Sequence, residues 1–205
     1  MGNDAIARRA KLSRIAEIRA GHPFRGSVPE DVTGRVSVIQ IKDVDWTGRI
    51  TWEGLTTTRL EGRKDPDWVK TGDILFVARG AKIVAAYVDD VPGFCVCSQY
   101  FYLIRITSEE ILPEFVAWQI NQQPAQTYLT KSAEGSAQVS IRRSMLEDLS
   151  IVIPPIEQQH TIVALARSAQ RERELLESFI LNREQELRII AKNLLEPNNH
   201  KKVKS

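Results

Sequence analysis

The spacing of apolar residues changes along this chain, and each change marks a different kind of element. Between residues 6 and 19, Leu12, Ile15 and Ile18 recur on one side, which predicts a short opening helix. Gly21, Pro23 and Gly26 end it. From there to residue 106 the pattern is that of strands and turns. Val36 to Ile41 reads as a strand, Asp45-Trp46-Thr47-Gly48 as a turn, and another short extended stretch follows. Gly72-Asp73 starts a second turn before the apolar strand Ile74 to Ala78. Arg79-Gly80-Ala81-Lys82 interrupts that strand, and extended structure resumes over Ile83 to Val88 until Asp89-Asp90-Val91-Pro92-Gly93. Phe94 to Ile106 reads as one long strand rich in aromatic and branched residues. Pro113 suits the first turn of a helix over residues 114 to 120. A second small helix is expected near Ala125 to Lys131, a loop over residues 133 to 137, a helix over Arg142 to Asp148 capped by Ser140, and a brief strand Ile151 to Ile153. Short strands with a few inserted helices predict an α+β domain, closed or half-rolled.

Beyond Pro154-Pro155 the pattern becomes helical. From Glu157 to Leu195 there is no proline and no glycine, and helix formers dominate. Ile162, Ala169, Leu176, Arg183 and Ile190 recur every seven residues. Ala166, Arg173, Ile180, Leu187 and Leu194 form a second series offset by four. These are the two seam positions of a coiled coil, with alanine and arginine at two positions each. An isolated helix carrying such a stripe requires a partner to cover it. The expected organisation is therefore a domain over 1–155, a long spacer or dimerisation helix over 156–196, and a disordered tail over 197–205.

Composition narrows the class. The chain has 205 residues, 42% hydrophobic and 26% charged, which is ordinary for a folded protein. Net charge is only +2, and residues 1–156 carry 19 charges of each sign. Two stretches lean basic: residues 8–35 hold seven basic against three acidic side chains, and residues 59–82 hold six against four. A local phosphate-binding face is compatible with this, but a polybasic tract is not present. Cys95 and Cys97 alternate across an apolar stretch and form neither a four-ligand zinc pattern nor a disulfide framework, which suits a reducing cytoplasm. No run approaches the length of a membrane span.

Catalytic patterns are not found. His22, His160 and His200 lie far apart and read as surface or hydrogen-bonding residues. Pro66-Asp67 opens like a metal-nuclease signature, but no Asp/Glu-x-Lys follows across the next strand, so Asp67 reads as a turn residue. There is no phosphate-binding glycine loop. Ile153-Pro154-Pro155-Ile156 lacks the polar and aromatic residues of an amino-methyltransferase tetrad and reads as a rigid joint into the helix.

Several segments occur in a telling order: Leu12-Ser13-Arg14-Ile15-Ala16-Glu17-Ile18, then Gly21-His22-Pro23-Phe24, then Ile39-Gln40-Ile41-Lys42-Asp43-Val44, then Gly72-Asp73-Ile74-Leu75-Phe76-Val77-Ala78-Arg79-Gly80. Near the end come Gly135-Ser136-Ala137-Gln138-Val139-Ser140-Ile141 and the run from Leu149 through Ile153-Pro154-Pro155-Ile156-Glu157-Gln158-Gln159 to Ile162. In this order they resemble one target-recognition domain of a type I restriction–modification specificity subunit, followed by its spacer helix. Typical members carry two of each, and this chain resembles the half-length form. The resemblance implies a non-catalytic subunit that reads double-stranded DNA. It also implies partners: a second copy of itself, a DNA adenine methyltransferase subunit, and the translocating restriction subunit. S-adenosylmethionine and ATP are then expected only in those partners, with no cofactor or metal here and no membrane.

On that reading, amide and guanidinium groups on loops are the candidates for base and phosphate contact. Arg79 and Lys82 sit in the glycine-interrupted turn, with Gln99 and Tyr100 at a nearby strand surface. Lys131, Gly135, Ser136 and Gln138 belong to a second loop, and Arg63 and Lys64 to a polar turn. Trp46, Trp52, Trp68 and Trp118 read as core or turn packing. Ile162, Ala169, Leu176, Ile180, Leu187, Ile190 and Leu194 are the partner-facing helix positions. The alternative from a different class is a protein adaptor with a coiled-coil arm and no DNA-reading face.

Overall fold

The computed structural model describes residues 7–60, 65–131 and 139–195. These fall into two compact units, one ending at Val163 and one beginning at Ala164. The first unit is α+β, as the pattern predicts. Its strands are β1 (Arg8–Lys11), β2 (Ala16–Ala20), β3 (Val36–Ile39), β4 (Thr56–Thr58), β5 (Ile74–Val77), β6 (Arg79–Gly80), β7 (Ala85–Tyr87), β8 (Cys95–Cys97), β9 (Phe101–Ile106), β10 (Val139–Ser140) and β11 (Ser150–Ile153). Its helices are α1 (Pro113–Ile120), α2 (Gln123–Lys131) and α3 (Arg143–Glu147), and α4 (Ile156–Leu195) continues into the second unit.

A four-stranded antiparallel sheet runs in the order β2-β9-β5-β7, and a three-stranded sheet runs β4-β3-β8 with β3 and β8 parallel. All four residues of β5 are buried, and they divide by parity between two cores. Ile74 and Phe76 join Ile104, Phe115, Val116 and Ile120 on the helical side. Leu75 and Val77 join Ile39, Cys95, Cys97 and Leu103 on the side of the smaller sheet. Burial on both faces explains why this segment reads as a continuous apolar run instead of an alternating one.

The opening segment is not the helix its spacing predicts. β1 pairs antiparallel with β11, Ala10 opposite Ile151, and a 3-10 turn at Leu12–Arg14 leads into β2. Leu12, Ile15 and Ile18 are all buried, so the apolar spacing was real. The turn supplies the interval of three, and the strand Ala16–Ala20 supplies the rest. Three boundaries also differ. The strand expected over Val36 to Ile41 stops at Ile39, because Ile41–Asp43 form a 3-10 turn closed by the Asp43 carboxylate on the Gln40 N–H at 2.8 Å. The strand expected over Phe94 to Ile106 divides at Ser98–Tyr100, where the chain leaves one sheet for the other. Ser140 lies in β10 and caps nothing; the residue preceding α3 is Arg142, without a side-chain cap.

Two family-like segments owe their residues to buried polar clamps. In Gly72-Asp73-Ile74-Leu75, Gly72 has a positive φ of 90°, and Asp73 is 1% exposed. Its carboxylate accepts the Lys70 N–H at 2.8 Å and two bonds from Arg105, at 2.8 Å from Nε and 2.7 Å from Nη2. A planar guanidinium fits both carboxylate oxygens at once, which a lysine would not. In Pro154-Pro155-Ile156-Glu157-Gln158-Gln159 the second glutamine is fully buried. Gln159 Oε1 accepts the Leu112 N–H at 2.8 Å, and Nε2 donates to the carbonyls of Glu110 and Pro154 at 2.9 and 2.8 Å. It ties the first turn of α4 to the segment entering α1.

Replacing Asp73 by alanine strands the Arg105 guanidinium, and replacing Gln159 by alanine strands three backbone groups. Each is expected to lower stability by about 2–4 kcal/mol, read as a reduced urea midpoint at unchanged slope. Cys95 and Cys97 are each 1% exposed, and burial pushes both thiols up to about 12. Both should therefore resist a thiol reagent at pH 8 in the native protein and react fully in denaturant. Prompt reaction of either under native conditions contradicts the packing of β8.

Candidate nucleic-acid interface

The site grows from the end of β5. Ala78 follows the strand, and its N–H bonds the Tyr100 carbonyl at 2.8 Å while its carbonyl accepts the Ile141 N–H at 2.8 Å. The next two residues, Arg79 and Gly80, form β6 and pair with Ser140 and Val139. One short stretch thus brings together three segments far apart in sequence. Arg79 is exposed, as is Tyr100. Gly80 takes a positive φ of 135°, a backbone state that a side chain strains. It also approaches Ile41, at the start of the 3-10 turn that carries the exposed Lys42.

Beside Tyr100 lies a cleft of about 340 Å³. Gly26, Ser27, Val28, Gln40, Ser98, Gln99 and Tyr100 line it. Ser98 Oγ is the buried side-chain atom without a hydrogen-bond partner among the described residues. Gln40 spends its amide N–H on Thr56 Oγ1 at 2.8 Å, which fixes the cleft wall to β4. Gln99 does not offer its amide outward. Its Oε1 accepts the Phe24 N–H at 2.9 Å and its Nε2 donates to the Phe24 carbonyl at 3.2 Å. It holds the Gly21-His22-Pro23-Phe24 segment against β8. Gly21 is required there, since a Cβ would lie 2.0 Å from the Ser98 carbonyl oxygen.

Lys82 also has structural work. Its ammonium donates to the Val44 carbonyl and sits 5.9 Å from the centre of the Trp46 ring. Burial lowers its pKa, against the opposing charge of Asp45. Lys131 is exposed at the end of α2. Arg63, Lys64, Gly135, Ser136 and Gln138 lie outside the described residues, although the chain re-enters the described structure at Val139, directly opposite Gly80. Arg79, Lys82 and Tyr100 are therefore brought to one region of the fold, and Gln99 is turned to backbone support.

Other candidates resolve as structure. Asp67 pairs with Arg19 at 2.5 Å, in an irregular segment and not at the turn the sequence suggested, which begins at Thr71. Among the described residues no three His, Cys, Asp or Glu side chains gather as metal ligands. Two contributors to this region were missed in the sequence. Trp46 is 72% exposed rather than packed, and Lys42 stands on the turn beside Gly80. The Asp-x-Thr-Gly turn was legible, but nothing in the sequence says which way its central side chain points.

On α4, Ile162 packs against the helical-side core of the first unit, and Val163 is buried in it. The later seam positions differ: Leu176, Ile180, Leu187, Ile190 and Leu194 are 53–77% exposed. Leu165 and Phe179, each 65% exposed, add apolar surface to the same helix.

The family model described as the type I restriction modification DNA specificity domain matches residues 10–172. The StySPI specificity subunit of a type I restriction enzyme from Salmonella potsdam is 25% identical over 114 residues, 51% of this chain and 24% of that protein. Three solved structures share the fold. The S subunit of a type I restriction-modification system from M. genitalium aligns with a TM-score of 0.59 at 16% identity, over 90% of this chain and 44% of that one. A chain from a type I R-M system, described for complex assembly and conformational transition, aligns at 0.64 and 17%, over 95% and 45%. The HsdS subunit of Thermoanaerobacter tengcongensis aligns at 0.57 and 15%, over 87% and 40%. The present chain thus spans about a quarter of the curated relative and under half of each solved one. The match over residues 10–172, most of the chain, places it in the family of type I restriction modification DNA specificity domains.

Proposed function

We propose that this chain is the sequence-reading, non-catalytic subunit of a type I restriction–modification complex, acting in the cytoplasm as a homodimer. Each copy contributes one recognition domain. Two copies pair through the apolar face of α4, antiparallel, so that the heads are related by a two-fold axis. Such a pair reads two identical inverted half-sites separated by bases it does not read. The length of α4, 40 residues or about 60 Å, sets that separation. A DNA adenine methyltransferase subunit and the translocating restriction subunit dock on this frame. They bring S-adenosylmethionine and ATP respectively.

The observation that carries this reading is a DNA specificity domain joined to a helix whose apolar stripe is in water. Covering a leucine or isoleucine side chain is worth about 1.5–3 kcal/mol, so five such residues per copy provide ample drive for association. Near-neutral charge over residues 1–156 supports the same conclusion from another direction. A single head collects few phosphate contacts, and two heads on one frame convert weak separate contacts into a joint one. Arg79, exposed on a backbone pinned by β10, is the foremost base-contact candidate. Tyr100 borders it, Lys42 and Lys131 suit phosphate contact, and Arg63, Lys64, Gly135, Ser136 and Gln138 extend the same proposal to the adjoining loops.

Sedimentation at tens of micromolar should give a dimer, and Leu176→Glu with Leu187→Glu should give a monomer. Methylome sequencing of cells expressing the chain with its methyltransferase should return a split motif with inverted, identical halves. A monomer with and without methyltransferase removes the dimer, and an asymmetric motif removes the two-fold reading. Arg79→Ala should lower affinity for that site about 5- to 150-fold and relax the choice of one base per half-site. Lysine changes at phosphates should instead weaken all sequences alike and reduce the salt slope by about one per contact. Binding with no salt dependence on any duplex would leave the protein-adaptor reading in its place.

A further inference from the structure

We propose that Trp46 is a DNA-contacting residue, its indole stacking against a nucleobase at the edge of the recognised site. The inference rests on the DNA-reading function proposed above and adds to it a contact that the sequence reading had assigned to packing. The first observation is exposure. Trp46 is 72% exposed, while Trp52, Trp68 and Trp118 are half-buried. Of the four tryptophans, Trp46 is the one that leaves most of its flat apolar surface in water.

The second observation is rigidity. Trp46 occupies the apex of a turn that is fixed from within and from below. Asp45 Oδ1 accepts the Thr47 N–H and Thr47 hydroxyl, each at 2.7 Å, and the Arg49 N–H at 3.0 Å. The Asp45 N–H in turn donates to the Arg49 carbonyl at 3.0 Å, and Val44 bridges to Ile50. Gly48 takes a positive φ of 86° and passes so close to β7 that a Cβ would lie 2.4 Å from the Ala85 carbonyl oxygen. Asn121 clasps both backbone groups of Ala85 at 2.8 Å, so the surface beneath the turn is itself fixed. A side chain carried on such a turn is pre-organised, and little backbone freedom remains to be lost on contact.

The third observation is charge. The Lys82 ammonium lies 5.9 Å from the Trp46 ring centre and is bonded to the Val44 carbonyl. The same stretch, Arg79 to Lys82, carries the exposed Arg79 guanidinium. Asp45, Thr47 and Arg49 flank the indole with polar groups. An exposed indole with the Lys82 ammonium over its ring suits a polyanion that carries flat apolar bases better than it suits an apolar protein patch. In a duplex the base faces are covered by their neighbours, so the contact belongs to a step that is partly unstacked at the end of the site; a base face opened there accepts an aromatic ring whatever its sequence. Trp46 would then position the head, while Arg79 discriminates.

The test uses the full-length chain with its methyltransferase on a duplex carrying the methylome-defined site. Trp46→Ala should weaken binding about ten-fold or more with an unchanged salt slope, and Trp46→Phe should restore it to within about three-fold. The slope matters, because a lost phosphate contact would lower it. Melting temperatures of both variants should match the parent. Indole fluorescence of the parent should be quenched by the duplex, and Trp46→Phe should lose most of that quenching. Affinity of Trp46→Ala within two-fold of the parent overturns the inference, as does a fall in melting temperature that accounts for the loss. Unchanged DNA binding with weakened methyltransferase binding overturns it in favour of a protein contact. A parent protein that binds no duplex overturns the DNA-reading function itself, an outcome distinct from a parent that binds while Trp46→Ala binds equally well.

Discussion

The central strands β5 and β9 are buried on both faces, and this double burial organises the first unit. A sheet covered on one side only can alternate polar and apolar residues, but Ile74-Leu75-Phe76-Val77 cannot. It needs a helical layer over Ile74 and Phe76, and a second layer over Leu75 and Val77. The helical layer comes from α1 with contributions from α2, α3 and the start of α4. The second layer is built largely from β3 and β8, whose buried Cys95 and Cys97 both face apolar neighbours. Two buried polar clamps fix the chain direction in this unit. Asp73 with Arg105 holds the entry to β5, and Gln159 holds the entry to α1 and the exit to α4 together. Neither group is tolerable in the interior without its partners, so both act as strict selectors of geometry.

The candidate interface follows from the same constraint. A strand buried on both faces has to leave the core somewhere, and the chain leaves it after the buried Ala78, at Arg79. There the backbone bonds to the segments of Tyr100 and Ile141 at once. Arg79 is therefore displayed on backbone anchored on both sides, not on a free loop. A reader of base edges needs that, because bidentate recognition fails when the donor pair is displaced by a fraction of a hydrogen-bond length. Turn chemistry supplies the second display element. The Asp45 carboxylate closes its turn and keeps a low pKa through those bonds, despite the opposing effect of desolvation.

How much of this was legible depended on whether the signal was local. The α+β class, the strand at Ile74, the proline-started α1 and the long α4 rest on local spacing, and they stand in the structure. The opening segment does not, because pairing β1 with β11 joins residues about 140 positions apart, and no local pattern reports that. Leu12, Ile15 and Ile18 announced burial correctly while leaving the element type open between helix and turn-plus-strand. Side-chain direction was the other blind spot. Gln99 carries the amide that base recognition favours, yet its geometry commits it to Phe24. Trp46 belongs to a residue type that folding usually hides, yet it stands in water. Composition could rank these two residues only in the wrong order.

In the proposed homodimer the two units would solve different physical problems, and that division would account for the weak net charge. A head that bound DNA tightly by charge alone would hold any sequence, since phosphate contacts do not discriminate. With 19 charges of each sign over residues 1–156, the head carries no net positive charge to hold DNA without regard to sequence. On the proposed dimer, affinity comes in part from a second head held by the apolar helix, without added phosphate contacts per head. Two weak, selective readers held at a set distance discriminate by the product of their separate preferences. A mismatch under either head then weakens the whole complex, an economy that a single strongly basic domain of this size could not reproduce.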